Sequence, residues 1–163
     1  MAGTSRKVLA INASSLAVLL LFSSTGNAQE DEEEHDHPRY AVAAFIGGTH
    51  VGGENEFTLG VEVGYNFNSN WSLGAVLERT ERSKSSTLFL LGVGWHPFGP
   101  GLRLQLAAGR KDPSGHSENV ARTGIAYELE MENNWFIKPY LAIDFVSHEE
   151  NEEVFGIYVG KGF

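Results

Sequence analysis

The chain has 163 residues, of which 12 are Lys or Arg and 21 are Asp or Glu, and its formal net charge is −9. An acidic chain without a basic stripe does not suit nucleic-acid binding, whose affinity comes from neutralising phosphates. The absence of cysteine excludes disulfides, thiolate metal sites and a cysteine nucleophile. Frequent glycine, with 19 residues, and 11% aromatic residues favour many short strands joined by turns.

The N-terminus is predicted to be a secretory signal peptide that covers residues 1–28. Two basic residues, Arg6 and Lys7, precede an apolar stretch over residues 8–22, and small residues follow it before Gln29. A membrane-anchor helix is the alternative, but a helical span needs about 20 apolar residues, and this stretch is shorter and interrupted by polar side chains. We therefore expect an exported mature chain that begins near Gln29.

Residues 29–38 form an acidic segment that contains histidine. Like charges at this density repel and resist folding, so we expect a flexible leader in front of the folded domain. His35 and His37 could capture a divalent ion among these carboxylates, but no third ligand stands at a fixed spacing. The segment therefore predicts loose ion contact and no specific metal site.

From residue 39 onward the chain is predicted to form one domain of antiparallel strands. Apolar and polar residues alternate most clearly in the second strand, where one face carries Phe57, Leu59, Val61, Val63, Tyr65 and Phe67. This alternation covers about 11 residues, the length that a tilted strand needs to cross a membrane. It is blurred in the first and fourth strands. The predicted strands cover residues 40–50, 57–67, 71–80, 87–96, 102–110, 119–131, 135–147 and 154–163.

The connections between these strands fall into two kinds that alternate along the chain. Tight, turn-forming segments cover residues 68–70, 97–101 and 132–134, whereas longer, polar connections cover residues 51–55, 81–86, 111–118 and 148–153. This alternation is typical of barrels with short periplasmic turns and longer external loops. Aromatic residues gather beside the tight turns, as a girdle at a membrane interface does: Phe67, Trp71, Trp95, Phe98, Trp135 and Phe163.

These patterns predict an all-β fold, a closed eight-stranded antiparallel up-and-down transmembrane β-barrel over residues 39–163. A soluble sandwich or barrel is the alternative, and it would turn the apolar face inward. Three features favour the inverted arrangement. Glycine is frequent on the polar face, the apolar face is nearly free of charge, and the chain carries an export signal.

The chain resembles the small outer-membrane β-barrels similar to the OmpA transmembrane domain and OmpX. The resemblance covers residues 40–163 and rests on the alternating strands, the Asn-Asn-Trp turn at residues 133–135 and the ending over residues 155–163. In that ending apolar residues stand at every second position, and Lys161 breaks the series. The resemblance implies an integral protein of a Gram-negative outer membrane. It also implies two partners, namely outer-membrane lipids and the barrel-assembly machinery that reads the C-terminal strand.

An eight-stranded barrel is just wide enough for side chains to fill its lumen. We expect the polar face to form a structural network there, joined by Tyr158, that consists of Glu62, Glu78, Arg103, Gln105, Arg122, Glu128, Glu130, Lys138, Tyr140 and Asp144. Folding the sixth and seventh strands about Asn133 places Arg122 opposite Asp144. The same register places Glu128 opposite Lys138. A proton or ion path, or a paired-carboxylate site, is the alternative.

The sequence thus predicts a structural or surface-interaction protein of the outer membrane, with a plugged lumen. A narrow porin-like channel for small solutes is the alternative, and a lipid-modifying enzyme is a third hypothesis. The best local nucleophile is Ser147 beside His148 and Glu149, but neighbours on a strand point to opposite faces. We expect no catalytic residue, no cofactor, no metal site and no nucleic-acid partner.

Three histidines, His50, His116 and His148, lie near the predicted outer rim. They could form a pH-sensitive or metal-binding rim, but histidines in exposed loops are commonly ordinary polar residues. The acidic external loops, such as residues 148–153, would not attract lipid A phosphates directly, so divalent ions would have to bridge the two. The sequence does not identify a partner at the cell surface.

Overall fold

A computed structural model describes residues 38–81, 85–99, 101–113 and 117–163. The predicted signal peptide and the acidic leader as far as residue 37 lie outside the described residues. Within the described part, no helix is long and apolar enough to cross a membrane.

The described residues form eight antiparallel strands, each paired with the next along the chain. They are β1 (Tyr40–Val51), β2 (Glu54–Asn66), β3 (Trp71–Glu81), β4 (Ser86–Trp95), β5 (Leu102–Pro113), β6 (Glu118–Tyr127, continued by Leu129–Glu130), β7 (Trp135–Val146) and β8 (Glu152–Gly162). β1 also pairs with β8, so the sheet closes on itself. The predicted closed, up-and-down barrel is therefore confirmed.

The barrel has two ends. The terminal end holds Pro38, Phe163 and the connections β2–β3, β4–β5 and β6–β7, whereas the loop end holds the connections β1–β2, β3–β4, β5–β6 and β7–β8. At the terminal end, Tyr40 and Phe163 exchange two backbone hydrogen bonds of 2.8 and 3.1 Å. The last residue of the chain is thereby tied to the first strand.

The connections at the loop end differ from the prediction. Gly52 and Gly53 alone join β1 to β2, with φ angles of 59° and 89°, and Val51 pairs directly with Glu54. Glycine adopts such angles without steric cost, so the chain reverses within two residues. The predicted contrast between tight turns and long external loops is not observed, because the strands continue as paired segments beyond the apolar residues into charged ones.

β6 is interrupted at Glu128, although the sequence predicts one strand as far as residue 131. Its ladder with β5 ends where Tyr127 pairs with Leu102, because β5 begins there. The Glu128 N–H instead donates to the Gly101 carbonyl at 2.7 Å. The chain then pairs with β7 over two further residues.

Side chains alternate between the lumen and the outer surface. On β4, Leu90 is fully buried in the lumen and Leu91 is 54% exposed outside, so both faces are apolar and the alternation is blurred. The apolar part of the lumen forms two clusters. One contains Ala43, Phe45, Ala126, Phe136, Tyr140, Ala142, Val154 and Tyr158. The other contains Val76, Leu88, Leu90, Ala107, Val120 and Val146.

Gly109 of β5 lies where the backbone of β4 comes too close for a side chain. A Cβ atom at this position would collide with the Phe89 carbonyl and come within 2.8 Å of the Leu90 Cα. We expect Gly109→Ala to lower the free energy of unfolding by about 1–3 kcal/mol, because the two strands must move apart. Urea titration of the barrel in phospholipid vesicles, followed by tryptophan fluorescence, measures this loss.

Gly64→Ala is the matched control, because a Cβ at Gly64 would meet no atom nearer than 3.8 Å. Equal urea midpoints for the two variants would contradict the packing between β4 and β5.

Candidate functional site

Among the described residues, the lumen holds three groups of buried, ion-paired side chains. They are the terminal cluster (Glu62, Arg103 and Lys138), the middle cluster (Glu78, Arg122 and Asp144) and the loop-end pair (Lys111 and Glu152). Four buried carboxylates thus face four buried cations. Because an uncompensated charge in such a space is strongly destabilising, this balance is a condition of folding.

The middle cluster is centred on Arg122 of β6. Its Nε and Nη2 donate to the two Asp144 carboxylate oxygens at 2.6 and 2.7 Å. Its Nη1 and Nη2 donate to the two Glu78 carboxylate oxygens at 2.8 and 2.7 Å. Asp144 stands directly opposite on β7, in the register that the sequence predicts, whereas Glu78 reaches across the lumen from β3. The Tyr158 hydroxyl also donates to Glu78, at 3.3 Å.

This double bidentate arrangement uses the planar fork of the guanidinium group, which matches two carboxylates better than an ammonium group would. It joins strands that are not neighbours in the sheet. The cluster therefore braces the barrel across its diameter and occupies the middle of the lumen.

The terminal cluster is centred on Glu62 of β2. Arg103 Nη1 and Lys138 Nζ donate to the same Glu62 oxygen, at 2.7 and 2.8 Å. Lys138 Nζ also lies 4.7 Å from the centre of the Tyr158 ring, a favourable cation–π distance. One carboxylate thus holds two cations from two other strands, β5 and β7.

The predicted ion pair between Glu128 and Lys138 is replaced by another. Among the described residues, Lys138 pairs with Glu62, and Glu128 is half-buried at the break in β6. Cross-strand register identifies only the neighbours within one hairpin. The long side chain of Lys138 instead reaches across the narrow lumen to Glu62 on β2.

The loop-end pair is absent from the predicted network. The Lys111 ammonium donates to a Glu152 carboxylate oxygen, and both side chains are buried. The predicted fifth strand stops at residue 110 and the eighth starts at residue 154, which leaves both residues in loops. Their positions continue the inward alternation of Arg103 and Tyr158 by even numbers of residues, and this signal could have located them.

The remaining residues of the predicted network take three different positions. Gln105 is buried, and Glu130 is exposed at the terminal end. Tyr140 is 3% exposed and packs edge-on against Phe45 and Tyr158, with ring centres 6.2 and 5.3 Å apart. Its buried hydroxyl makes no hydrogen bond within the described part of the chain. Tyr140 therefore contributes chiefly through packing.

A cavity of about 80 Å³ lies at the terminal end. It extends from the β2–β3 turn to the terminal cluster and is lined by residues that include Ser69, Ser72, Glu128 and Phe136. Arg103 also lines the cavity, and its buried Nε and Nη2 atoms make no hydrogen bond to any described residue. The cavity is large enough for a few water molecules.

The six predicted girdle residues are all exposed and lie near the terminal end: Phe67, Trp71, Trp95, Phe98, Trp135 and Phe163. Trp71 and Trp95 are cross-strand partners whose rings stack at 6.2 Å. Tyr40 and Tyr65, whose rings are 5.2 Å apart, extend this aromatic surface although the predicted girdle omits them.

The rim residues show no catalytic arrangement within the described part of the chain. The Ser147 hydroxyl donates to the Asn119 carbonyl at 2.9 Å, and His148 is exposed with a left-handed φ of 72°. His50 Nδ1 lies 2.8 Å from Asn55 Oδ1, and His116 lies outside the described residues. Among the described residues, no group of three or more His, Cys, Asp or Glu residues could hold a metal ion.

Comparison with known proteins identifies the fold. No family model matches the chain, and no curated protein matches it. Among solved structures, the N-terminal β-barrel domain of OprF from Pseudomonas aeruginosa is similar, with a TM-score of 0.60 and 18% identity over 78% of this chain and 99% of that chain. The outer membrane protein Ail of Yersinia pestis, in a nanodisc, has a TM-score of 0.51 and 12% identity over 76% of this chain and 99% of that chain.

The outer membrane enzyme PagL is also similar, with a TM-score of 0.50 and 12% identity over 76% of this chain and 99% of that chain. The chain therefore has the fold of the small eight-stranded outer-membrane β-barrels. At these identities the likeness concerns the fold, which confirms the predicted fold class and resemblance.

Removal of the central cation tests the middle cluster. We expect Arg122→Met to lower the free energy of unfolding by about 3–5 kcal/mol, because Glu78 and Asp144 are then buried without a partner. Adding Glu78→Gln and Asp144→Asn to this variant removes the uncompensated charges and should restore part of the loss. Urea titration in vesicles measures both effects, and wild-type stability of Arg122→Met would show that the cluster does not hold the barrel.

A matched pair of substitutions distinguishes the observed partner of Lys138 from the predicted one. We expect Glu62→Gln to destabilise the barrel by about 3 kcal/mol, because Arg103 and Lys138 lose their shared carboxylate. Glu128→Gln should cost under about 1 kcal/mol, because Glu128 is partly solvated. The same titration separates the two variants. A larger loss for Glu128→Gln would favour the cross-strand pair.

Proposed function

We propose that this chain is an integral β-barrel protein of the outer membrane of a Gram-negative bacterium, with a structural or surface-interaction role and a plugged lumen. The observation that carries the proposal is the inverted distribution of polarity. Charged side chains are paired inside the barrel, and large apolar side chains cover its outside.

The outer surface supports the membrane assignment. Leu106, Leu91 and Ile46 are 63%, 54% and 53% exposed, and they belong to a continuous apolar band around the barrel. A monomeric soluble protein rarely exposes so large an apolar surface, whereas lipid covers it in a membrane. Exposed aromatic residues border this band at the terminal end, as they do at a membrane interface.

The proposed orientation places the terminal end in the periplasm. An exported chain delivers its N-terminus there, and Pro38 and Phe163 lie at the same end. The signal peptide of residues 1–28 belongs to this proposal. So do the partners, which are outer-membrane lipids around the band and the barrel-assembly machinery, which would engage β8 and the exposed Phe163.

The packing of the lumen supports the plug. The middle cluster crosses the lumen, and Leu90, Tyr158 and Asp144 beside or within it are at most 1% exposed. The narrow porin-like channel remains the second candidate, because the cavity at the terminal end reaches inward to the terminal cluster. Conduction would require the middle cluster to open as well.

We propose a non-enzymatic role. PagL, an outer membrane enzyme, shows that catalysis exists on this fold. In this chain, the Ser147 hydroxyl donates its hydrogen bond to a backbone carbonyl, whereas a nucleophile would donate it to a base such as His148. Identical lipid A mass spectra from cells with and without the protein would support this role, and a difference would contradict it.

Two measurements test the proposed function. Outer-membrane fractions should contain the protein as a band that shifts on detergent gels between unheated and boiled samples, because a closed barrel resists detergent until it is heated. In planar bilayers, we expect no sustained large conductance steps from the purified protein, with a larger porin as positive control. A band that does not shift would contradict the barrel, and sustained steps would contradict the plug.

A further inference from the structure

Among the described residues, the outward-facing Arg and Lys side chains near the loop end lie on one side of the barrel. Arg79 of β3 and Arg110 of β5 are both exposed on the outer face. The last outward positions of the other described strands near this end carry no Arg or Lys. They are His50, Asn55, Thr87, Asn119, Ser147 and Glu153. We call Arg79 and Arg110 the arginine patch.

The two arginines flank β4. Arg79 is the cross-strand partner of Thr87, and Arg110 is the partner of Phe89. Neighbouring strands lie about 4.8 Å apart and the two arginines are offset by two residues along β4, so their backbones are separated by roughly 12 Å. Side chains as long as arginine can reach one group from both sides over that distance. Among the described residues, Arg79 makes one side-chain hydrogen bond, to the Ser85 hydroxyl at 3.3 Å.

Each arginine stands where an apolar column ends. Leu77, 48% exposed, precedes Arg79 on the outer face of β3, and Leu106, 63% exposed, lies below Arg110 on β5. Between them, Phe89 of β4 is 48% exposed. A cation at the edge of an apolar band lies at the depth of lipid headgroups, while the band below it lies at the depth of acyl chains.

Two carboxylates are nearby on the same face. Glu81 follows Arg79 and Asp112 follows Arg110, each two residues farther from the apolar band. On its own strand, each carboxylate lies farther from the apolar band than the arginine. Asp112 also pairs with Thr87, so it lies across β4 from Arg79 in the same cross-strand row. On β3 and on β5, the outward-facing charged side chain nearest the apolar band is the arginine.

We propose that the arginine patch binds the phosphate groups of an anionic lipid in the leaflet at the loop end. The planar guanidinium fork donates two parallel hydrogen bonds to phosphate oxygens, which makes arginine well suited to this ligand. The acyl chains of the same lipid lie along the apolar columns beneath. This proposal rests on the proposed membrane location. It differs from the expectation for the acidic loops, which would contact lipid phosphates only through bridging divalent ions.

Native mass spectrometry of the full-length mature barrel, folded in zwitterionic detergent with EDTA, tests the patch. The probes are lipid A with two phosphates and the same lipid after removal of both phosphates. We expect the variant Arg79→Gln with Arg110→Gln to bind phosphorylated lipid A about thirtyfold more weakly than the wild type, since each basic side chain at an anionic lipid surface contributes a factor of about five. Binding of the dephosphorylated lipid should be equal for both proteins.

Two further variants test whether the position of the charge and the guanidinium group matter. Lys161→Gln removes an outward cation at the terminal end and should bind like the wild type. Arg79→Lys with Arg110→Lys keeps the charge without the fork and should bind with intermediate affinity. Equal binding of phosphorylated lipid A by the wild type and the double Gln variant would overturn the proposal, and so would an equal loss in Lys161→Gln.

Heat-dependent migration of every sample separates this proposal from the proposed function. If the wild type does not migrate as a folded barrel and does not insert into vesicles, the membrane proposal fails and this inference fails with it. If the wild type inserts but binds both lipids equally, only the arginine patch is wrong.

Discussion

The middle of the lumen of an eight-stranded barrel is too narrow for bulk water to solvate a charge, so a fully buried charge there must meet an opposite one. The three groups of ion pairs satisfy this condition at three depths, and they do so across strands that are distant in the sheet. Glu62 joins β2 to β5 and β7, and Glu78 joins β3 to β6. The contacts that neutralise the lumen therefore also brace the cylinder and fill it. The same side chains thus stabilise the closed barrel and occupy the middle of its lumen.

The glycines of the polar face are explained by this crowding. A Cβ at Gly124 would come within 2.7 Å of the Tyr140 hydroxyl, and one at Gly156 within 2.6 Å of the Phe45 ring. Large rings on some strands are accommodated because the opposing positions have no side chain. This complementarity of size fills the lumen near Tyr158, where charged groups alone would leave gaps. The sequence shows only that glycine is frequent on the polar face. Which ring packs against which glycine is known only from the structure.

The alternation of side chains made the strands, the closure and the β6–β7 register predictable, because a period of two follows directly from strand geometry. Arg122 and Asp144 are near in sequence within one hairpin, so their pairing could be derived. Glu62 and Lys138 are on β2 and β7, and no local rule connects them. The extent of the strands at the loop end was also beyond the pattern, because Lys111 and Glu152 look like loop residues until the lumen is known to bury them. A charged residue in this sequence can therefore belong to a strand and point into the lumen, so charge alone does not mark a loop.

The adjacent residues Arg110 and Lys111 show that the face of the strand determines the surroundings of a charged side chain. Lys111 points inward and pairs with Glu152, whereas Arg110 points outward at the edge of the apolar band. A slip of one residue in β5 would exchange the two faces. It would turn Arg103 and Lys111 outward and bring Leu106 and Arg110 into the lumen. Glu62 would lose one of its two cations, and the outer face of β5 would carry Arg103, Gln105 and Lys111 in place of apolar residues. The inward polar residues of β5 therefore favour the one register in which its ion pairs form inside the barrel and its apolar residues lie outside.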